Sequence, residues 1–215
     1  MSDKKKSELK ARWTPDMLAI ADGAFSGMDA VAAYQGKQPR FPFVSPFGEF
    51  EGRTDFRYLE LRSTPVYRTI ENADLTGATD DRGGQLRQCT LIGCKLDLAS
   101  METNLGEKIL RCSFVRAKFS HTTFRGEFVD CDFTKCDLSY SLGGQLKFVR
   151  CNFTDAKFVG ARFQRSLFDN CTWTNAKIGN AAFSHGKFTG GRPSPEQLID
   201  AMYPNAVFES DQGQV

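Results

Sequence analysis

The chain has 215 residues, 40% of them apolar and 25% charged, with a formal net charge of +2. That length suits one domain with appendages, and so small a net charge singles out no class of anionic partner. No apolar run approaches the length of a membrane span, and two histidines leave almost no material for a histidine-based catalytic or metal constellation.

The opening segment MSDKKKSELKAR is polar and lysine-rich, so residues 1–12 are expected to be disordered. It carries no apolar stretch of the kind a secretory signal needs, and the seven cysteines are an odd number. Together these point to a reduced, cytoplasmic setting. Thr14 and Pro15 then read as an N-cap and first helical residue, with Trp13 placed to staple onto Leu18. The helix should run to about Ala21 and end at Gly23, with a second short helix over Met28 to Tyr34. Residues 35–51 carry three Pro and two Gly among aromatics and read as an irregular segment packed on the mouth of a repeat region.

From Phe128 onward a five-residue beat takes over: Phe133, Leu138, Phe148, Phe153, Phe158, Phe163, Phe168, Trp173, Ile178, Phe183 and Phe188 keep step. A five-residue step puts successive helix positions about 140° apart and flips faces on a flat strand. The chain must therefore turn once per repeat if these side chains share one interior. Cys131, Cys151 and Cys171 are twenty residues apart, so one coil is four pentapeptides and the unit is a four-sided solenoid. A small residue two positions before each large one completes the core. The sequence divides into an N-terminal tail and helical or irregular cap (1–51), a repeat β-helix (52–190) and a C-terminal helical cap and tail (191–215). In that last part Ser194-Pro195-Glu196-Gln197 has the form of a capping box for a helix to about Tyr203, and Ala206-Val207-Phe208 suits one more strand.

Ala73-Asp74-Leu75-Thr76-Gly77, Ala117-Lys118-Phe119 and Cys151-Asn152-Phe153-Thr154-Asp155 follow the pattern A-(D/N)-(L/F)-x-x. On these segments the chain resembles the pentapeptide-repeat proteins over about residues 52–190. The resemblance implies an all-β solenoid, a right-handed quadrilateral parallel β-helix, and says less about function because the family hosts many roles. Its best-known members, the quinolone-resistance and gyrase-protecting proteins, mimic DNA and bind type II topoisomerases. A DNA mimic should be acidic along its length. Residues 70–190 instead hold sixteen Lys and Arg against thirteen Asp and Glu, a net of +3, which disfavours that alternative.

Three places break the beat. Three residues more than the register needs lie between Met101 and Ile109, one is missing between Phe124 and Phe128, and Gly143-Gly144 lacks the apolar residue. The first suggests a surface loop and a candidate contact site at Glu102, Thr103, Asn104, Glu107 and Lys108. Cys89, Cys112, Cys131, Cys151 and Cys171 should form one inward ladder, with Cys94 and Cys136 in the next column. They read as small buried hydrophobes, and the C-x4-C pairs lack zinc spacing. Neither Gly83-Gly84-Gln85 nor Gly143-Gly144-Gln145 continues as a phosphate loop. Outward, Lys95, Lys118, Asp137, Lys157 and Lys177 should stack as a ridge, widened by Arg111 and Arg150. No catalytic residue, metal site or cofactor is indicated. The reading is a non-enzymatic scaffold that binds another protein, and a homodimer is compatible with it. Weak nucleic-acid binding through the lysine ridge is a second alternative, disfavoured because no aromatic is expected to be exposed for base stacking.

Overall fold

The computed structural model describes residues 2–80, 85–102 and 104–209. Its body is a coil with four flat sides, denoted faces A to D in chain order. On face A, strands Thr69–Glu71, Thr90–Ile92, Lys108–Leu110, Glu127–Val129, Lys147–Val149, Leu167–Asp169, Lys187–Thr189 and Val207–Glu209 stack in parallel register, giving eight rungs. The middle residue of each points inward, and Phe128, Phe148, Phe168 and Phe188 are fully buried or nearly so. Face B runs Asp74, Lys95, Ser113, Asp132, Asn152, Thr172; face C runs Glu60, Thr79, Ser100, Lys118, Asp137, Lys157, Lys177. Face D carries Asn104, Thr123, Leu142, Arg162, Ala182 and Met202.

The corners explain how an odd-numbered repeat keeps one interior. At the corner between faces A and B, Arg111, Asp130, Arg150 and Asn170 hold φ between 50° and 54°. One left-handed residue per side reverses the pleat, so the next large side chain again points inward. The turned backbone stays paired, because each corner N–H donates to the adjacent coil, as Arg111 does to the Val129 carbonyl at 2.9 Å.

The register corrects two expectations. Cys94, not Cys89, heads the long cysteine column: the face B rungs place Cys94 and Cys112 on neighbouring coils, with Cys131, Cys151 and Cys171 next in line. The cause is coil length. Register pairs Leu91 with Ile109 and Ile109 with Phe128, so these coils hold 18 and 19 residues, against 20 from Phe128 to Phe148. The shortening also removes the expected loop. Leu105 is a further inward residue, 1% exposed, and the sides from Met101 to Leu105 and Leu105 to Ile109 have four residues each. Asn104, Glu107 and Lys108 lie in one continuous strand, Asn104–Leu110, paired with Leu86–Ile92. Glu102 is exposed just before it, and Thr103 lies outside the described residues. All seven cysteines are buried and unbridged, and burial pushes the Cys89 thiol up to about 12.

Gly143 occupies an inward position between Phe124 and Phe163 on face D, and the missing ring is replaced from the adjacent corner. A Cβ on Gly143 would stand 2.5 Å from Leu146 Cδ1, so Leu146 fills the vacated space from a column otherwise held by small residues such as Ser166 and Gly186. Gly143→Phe is expected to destabilise the protein by about 1–3 kcal/mol through overpacking, and Leu146→Ala by about 2–5 kcal/mol through a cavity. Combined, they should be more stable than either single variant. Additive losses in chemical denaturation would refute the complementarity.

Both ends are covered. Helix α1 (Asp3–Ala11) replaces the disorder expected there, capped by Ser2, with Asp3 in its first turn and Lys10 in its last. Its own face is not buried; what holds it is the chain immediately after it. Arg12 reaches the buried Asp55, and Trp13 donates Nε1–H to the Arg57 carbonyl at 2.9 Å. Helix α2 (Pro15–Ala24) starts at the Thr14 cap and continues through Gly23, burying Leu18, Ala21 and Ala24. Helix α3 (Ala30–Tyr34) begins after an Asp29 cap. Phe25, Phe43 and Trp13 close over Phe56, the first ring of the stack. At the other end the capping box forms, with Ser194 N–H donating to Gln197 Oε1 and Gln197 N–H to Ser194 Oγ. The expected helix does not develop: it is one turn, because the chain rejoins the ladder where Phe183 donates to the Met202 carbonyl. Gln197 Nε2 instead caps the coil beneath, donating to the Trp173 and Ala176 carbonyls at 2.8 and 2.9 Å. The strand Val207–Glu209 adds a last rung, its Phe208 ring stacked 4.9 Å from Phe188.

Candidate functional site

Function on a solenoid with a filled axis must lie on its outside, where each face presents two columns of side chains. The expected lysine ridge is real on face C but shorter. Lys118, Asp137, Lys157 and Lys177 are consecutive rungs, each about 4.8 Å from the next. Lys95 is not among them. It belongs to face B beside Ser113, displaced one side by the shortened coil, and faces Asp97 at 3.9 Å. Arg111 and Arg150 do not widen the ridge either. They stand at the A/B corner with face B intervening, and Arg150 is engaged there, its Nε 2.6 Å from Asp130 Oδ1 and its Nη2 2.9 Å from Oδ2. That hydrogen bond holds the Asp130 carboxyl below its usual range.

Other cations take their place. Arg116 and Lys135 occupy the corner between faces B and C, with φ of 57° and 58°, so their side chains project beside the ridge. On the opposite flank Arg162 stands on face D, and Arg165 holds the corner beyond it. All four are exposed. Over the same coils only Asp137 and Asp155 oppose them on this side; Glu127, Asp130, Asp132 and Asp169 lie on faces A and B or the corner between. Lys157 makes a long ion pair with Asp137 at 3.9 Å. The charges are thus segregated around the rod, a fact that a net charge cannot express. Reading the sequence as two columns misses Arg116, Lys135 and Arg162. The signal that finds them is the same five-residue beat, carried through all four sides and their corners.

Apolar surface lies within this basic side. Tyr140, 55% exposed, sits at the C/D corner, and Leu142, 46% exposed, is the rung next to Arg162. One face of the Tyr140 ring is covered. His121 stacks on it at 5.3 Å and 12°, and a Cβ on Gly160 would meet it at 2.7 Å. Its other face, edge and hydroxyl are what it offers to a partner.

Elsewhere the described residues hold no group of three or more His, Cys, Asp and Glu placed to bind a metal ion, and no helix long and apolar enough to cross a membrane.

Residues 147–190 match the family of pentapeptide repeats, in eight copies. No curated protein matches the sequence. Among solved structures the chain is similar to HetL, a pentapeptide repeat protein involved in heterocyst differentiation regulation from the cyanobacterium Nostoc sp. strain PCC 7120, at 13% identity and TM-score 0.37, over 76% of this chain and 94% of that one. A trypsin-treated form of QnrB1, a plasmid-mediated fluoroquinolone resistance protein, gives 14% identity and TM-score 0.33 over 72% and 87% of the two chains. A pentapeptide repeat protein of the Arabidopsis thaliana thylakoid lumen gives 15% and 0.21 over 61% and 72%.

Proposed function

Since this chain is a pentapeptide-repeat protein, we propose that it acts as a non-enzymatic scaffold which docks an acidic partner protein on the basic side formed by faces C and D. The observation that carries this reading is the segregation of charge: Lys118, Lys157 and Lys177 in ladder register, flanked by Arg116, Lys135 and Arg162, with two carboxylates among them. Tyr140 and Leu142 add an apolar centre, and protein interfaces combine such a centre with a charged rim. A topoisomerase held by DNA mimicry would want the opposite sign along the rod. Single-stranded nucleic acid would want free aromatic faces, and His121 already stacks on one face of Tyr140.

The test is capture from a nuclease-treated lysate with the full chain and with Lys118→Glu, Lys157→Glu and Lys177→Glu combined. These are exposed side chains, so the fold should be unchanged. Partner recovery is expected to fall at least about tenfold, an effect of about 1.4 kcal/mol, and to weaken with salt. Equal recovery by both forms would sink the proposal.

A further inference from the structure

The N-terminal cap contains two buried positive centres, treated in opposite ways. At the first, Arg12 and Arg57 share the carboxylate of Asp55 through paired hydrogen bonds of 2.7 to 2.9 Å. At the second, Arg68 has no carboxylate. The residue is 3% exposed, in the turn just before the first rung of face A. Its Nη1 donates to the Ser26 carbonyl at 3.2 Å and its Nη2 to the Phe41 carbonyl at 2.9 Å, while Nε has no acceptor. The guanidinium lies 5.7 Å from the Phe43 ring centre. Burial pulls its pKa down and no neighbouring anion restores it. A guanidinium does not escape the cost of burial by losing its proton, so the arrangement is short of one negative charge.

Arg68 lines a cleft of about 610 Å³ between the segment 37–43 and the first coil. That is the size of a small-molecule site. Lys37 and Arg40 line the same cleft with Tyr67, Thr69 and Phe41, and no acidic side chain does. Three cations without a carboxylate suit a dianion better than a single carboxylate, and Arg68 retains N–H donors beyond the two taken by Ser26 and Phe41. The exposed rings of Phe41 and Tyr67 leave apolar surface beside the charged end.

We propose that this cleft binds a small phosphate-bearing ligand, its phosphate held by Arg68 and closed over by Lys37 and Arg40. The site is independent of the basic side on faces C and D. It is built by the junction of cap and solenoid, so occupancy ties the 37–43 segment to the first coil.

The experiment uses the full chain and two probes, inorganic phosphate and phenyl phosphate, in calorimetric titration and thermal melts, with chloride at equal ionic strength as control. Saturable binding and a raised Tm are expected with the phosphates and not with chloride. Tighter binding of phenyl phosphate would assign the site to an organic phosphate; equal affinities would assign it to the free ion. Arg68→Gln should weaken binding at least about tenfold, one lost charge-assisted contact. Because Arg68 also holds two backbone carbonyls, the exposed pair Lys37→Ala and Arg40→Ala is the second arm, expected to weaken binding severalfold without altering the fold. Absence of saturable binding, an equal response to chloride, or affinity unchanged in the exposed-pair variant would overturn the proposal. Loss of partner capture in the face C variant with phosphate binding intact separates the two proposals.

Discussion

Replacing Phe148 by alanine is expected to cost about 3–5 kcal/mol, the range for a fully buried ring whose site cannot collapse. Phe148 is completely buried, with its ring centre 5.0 Å from Phe128 below and 5.2 Å from Phe168 above, both nearly parallel, and Phe153 edge-on at 5.3 Å. Collapse would require neighbouring coils to approach. Their separation is fixed by backbone bonds such as Lys147 N–H to the Gly126 carbonyl at 3.1 Å and Arg150 N–H to the Asp169 carbonyl at 2.7 Å. The hole therefore stays open, and its lining loses dispersion contacts outright. Urea denaturation followed by circular dichroism measures the effect. A loss under about 1 kcal/mol would mean that the coils can close after all, against the packing argument.

Asp55→Asn should be comparably damaging, by about 3–5 kcal/mol, for a different reason. The carboxylate is 3% exposed and receives both guanidinium groups and the Arg57 backbone N–H. Neutralising it leaves Arg12 and Arg57 partly buried without the carboxylate they share. The damage should be local, releasing α1 and the Trp13 anchor while the distant rungs persist, and limited proteolysis near residue 12 would show it. The pH dependence has a definite sign. Burial raises the Asp55 pKa, but the hydrogen bonds from Arg12 and Arg57 outweigh it and hold the carboxyl well below the usual range. The native state thus gives up this proton more readily than the unfolded chain, whose carboxyl titrates near about 4. The stabilisation is complete above that value and is lost as pH falls below it toward the native pKa. The gap between wild type and Asp55→Asn should narrow on acidification through this range. A gap constant from pH 7 to pH 3 would contradict the ion-pair account.

The sequence reads best where one residue fixes one geometry. Phe every five residues with something small two before it allows a single kind of coil, and Thr14-Pro15 allows a single helix start; both are found. It reads worst where the backbone absorbs a change of length. The four-residue sides around Leu105 leave no mark in residue type, so the segment resembles an insertion, and Cys89 and Lys95 are assigned to the wrong columns. The C-terminal capping box is genuine, yet a cap specifies how a helix would begin and not that it outcompetes a further rung. Helix α1 buries none of its residues and is tethered by Arg12 and Trp13, contacts made with residues more than forty positions away. Arg68 is invisible in the sequence for a related reason: a lone arginine between Tyr67 and Thr69 says nothing of burial until Ser26 and Phe41 are seen to close on it.

The left-handed corners set a limit on how stable this rod is. Glycine and asparagine accept that backbone shape most cheaply, whereas other side chains raise its energy by about 1–2 kcal/mol per residue. Asn170, Asn175 and Asn180 meet the preference; Arg116, Lys135 and Arg165 do not. A sequence tuned only for durability would replace those three with asparagine. That it keeps long cations there, as it keeps Arg111 and Arg150 at the corner between faces A and B, means the molecule stands below its own ceiling of stability, and part of that shortfall lies on the surface proposed for recognition.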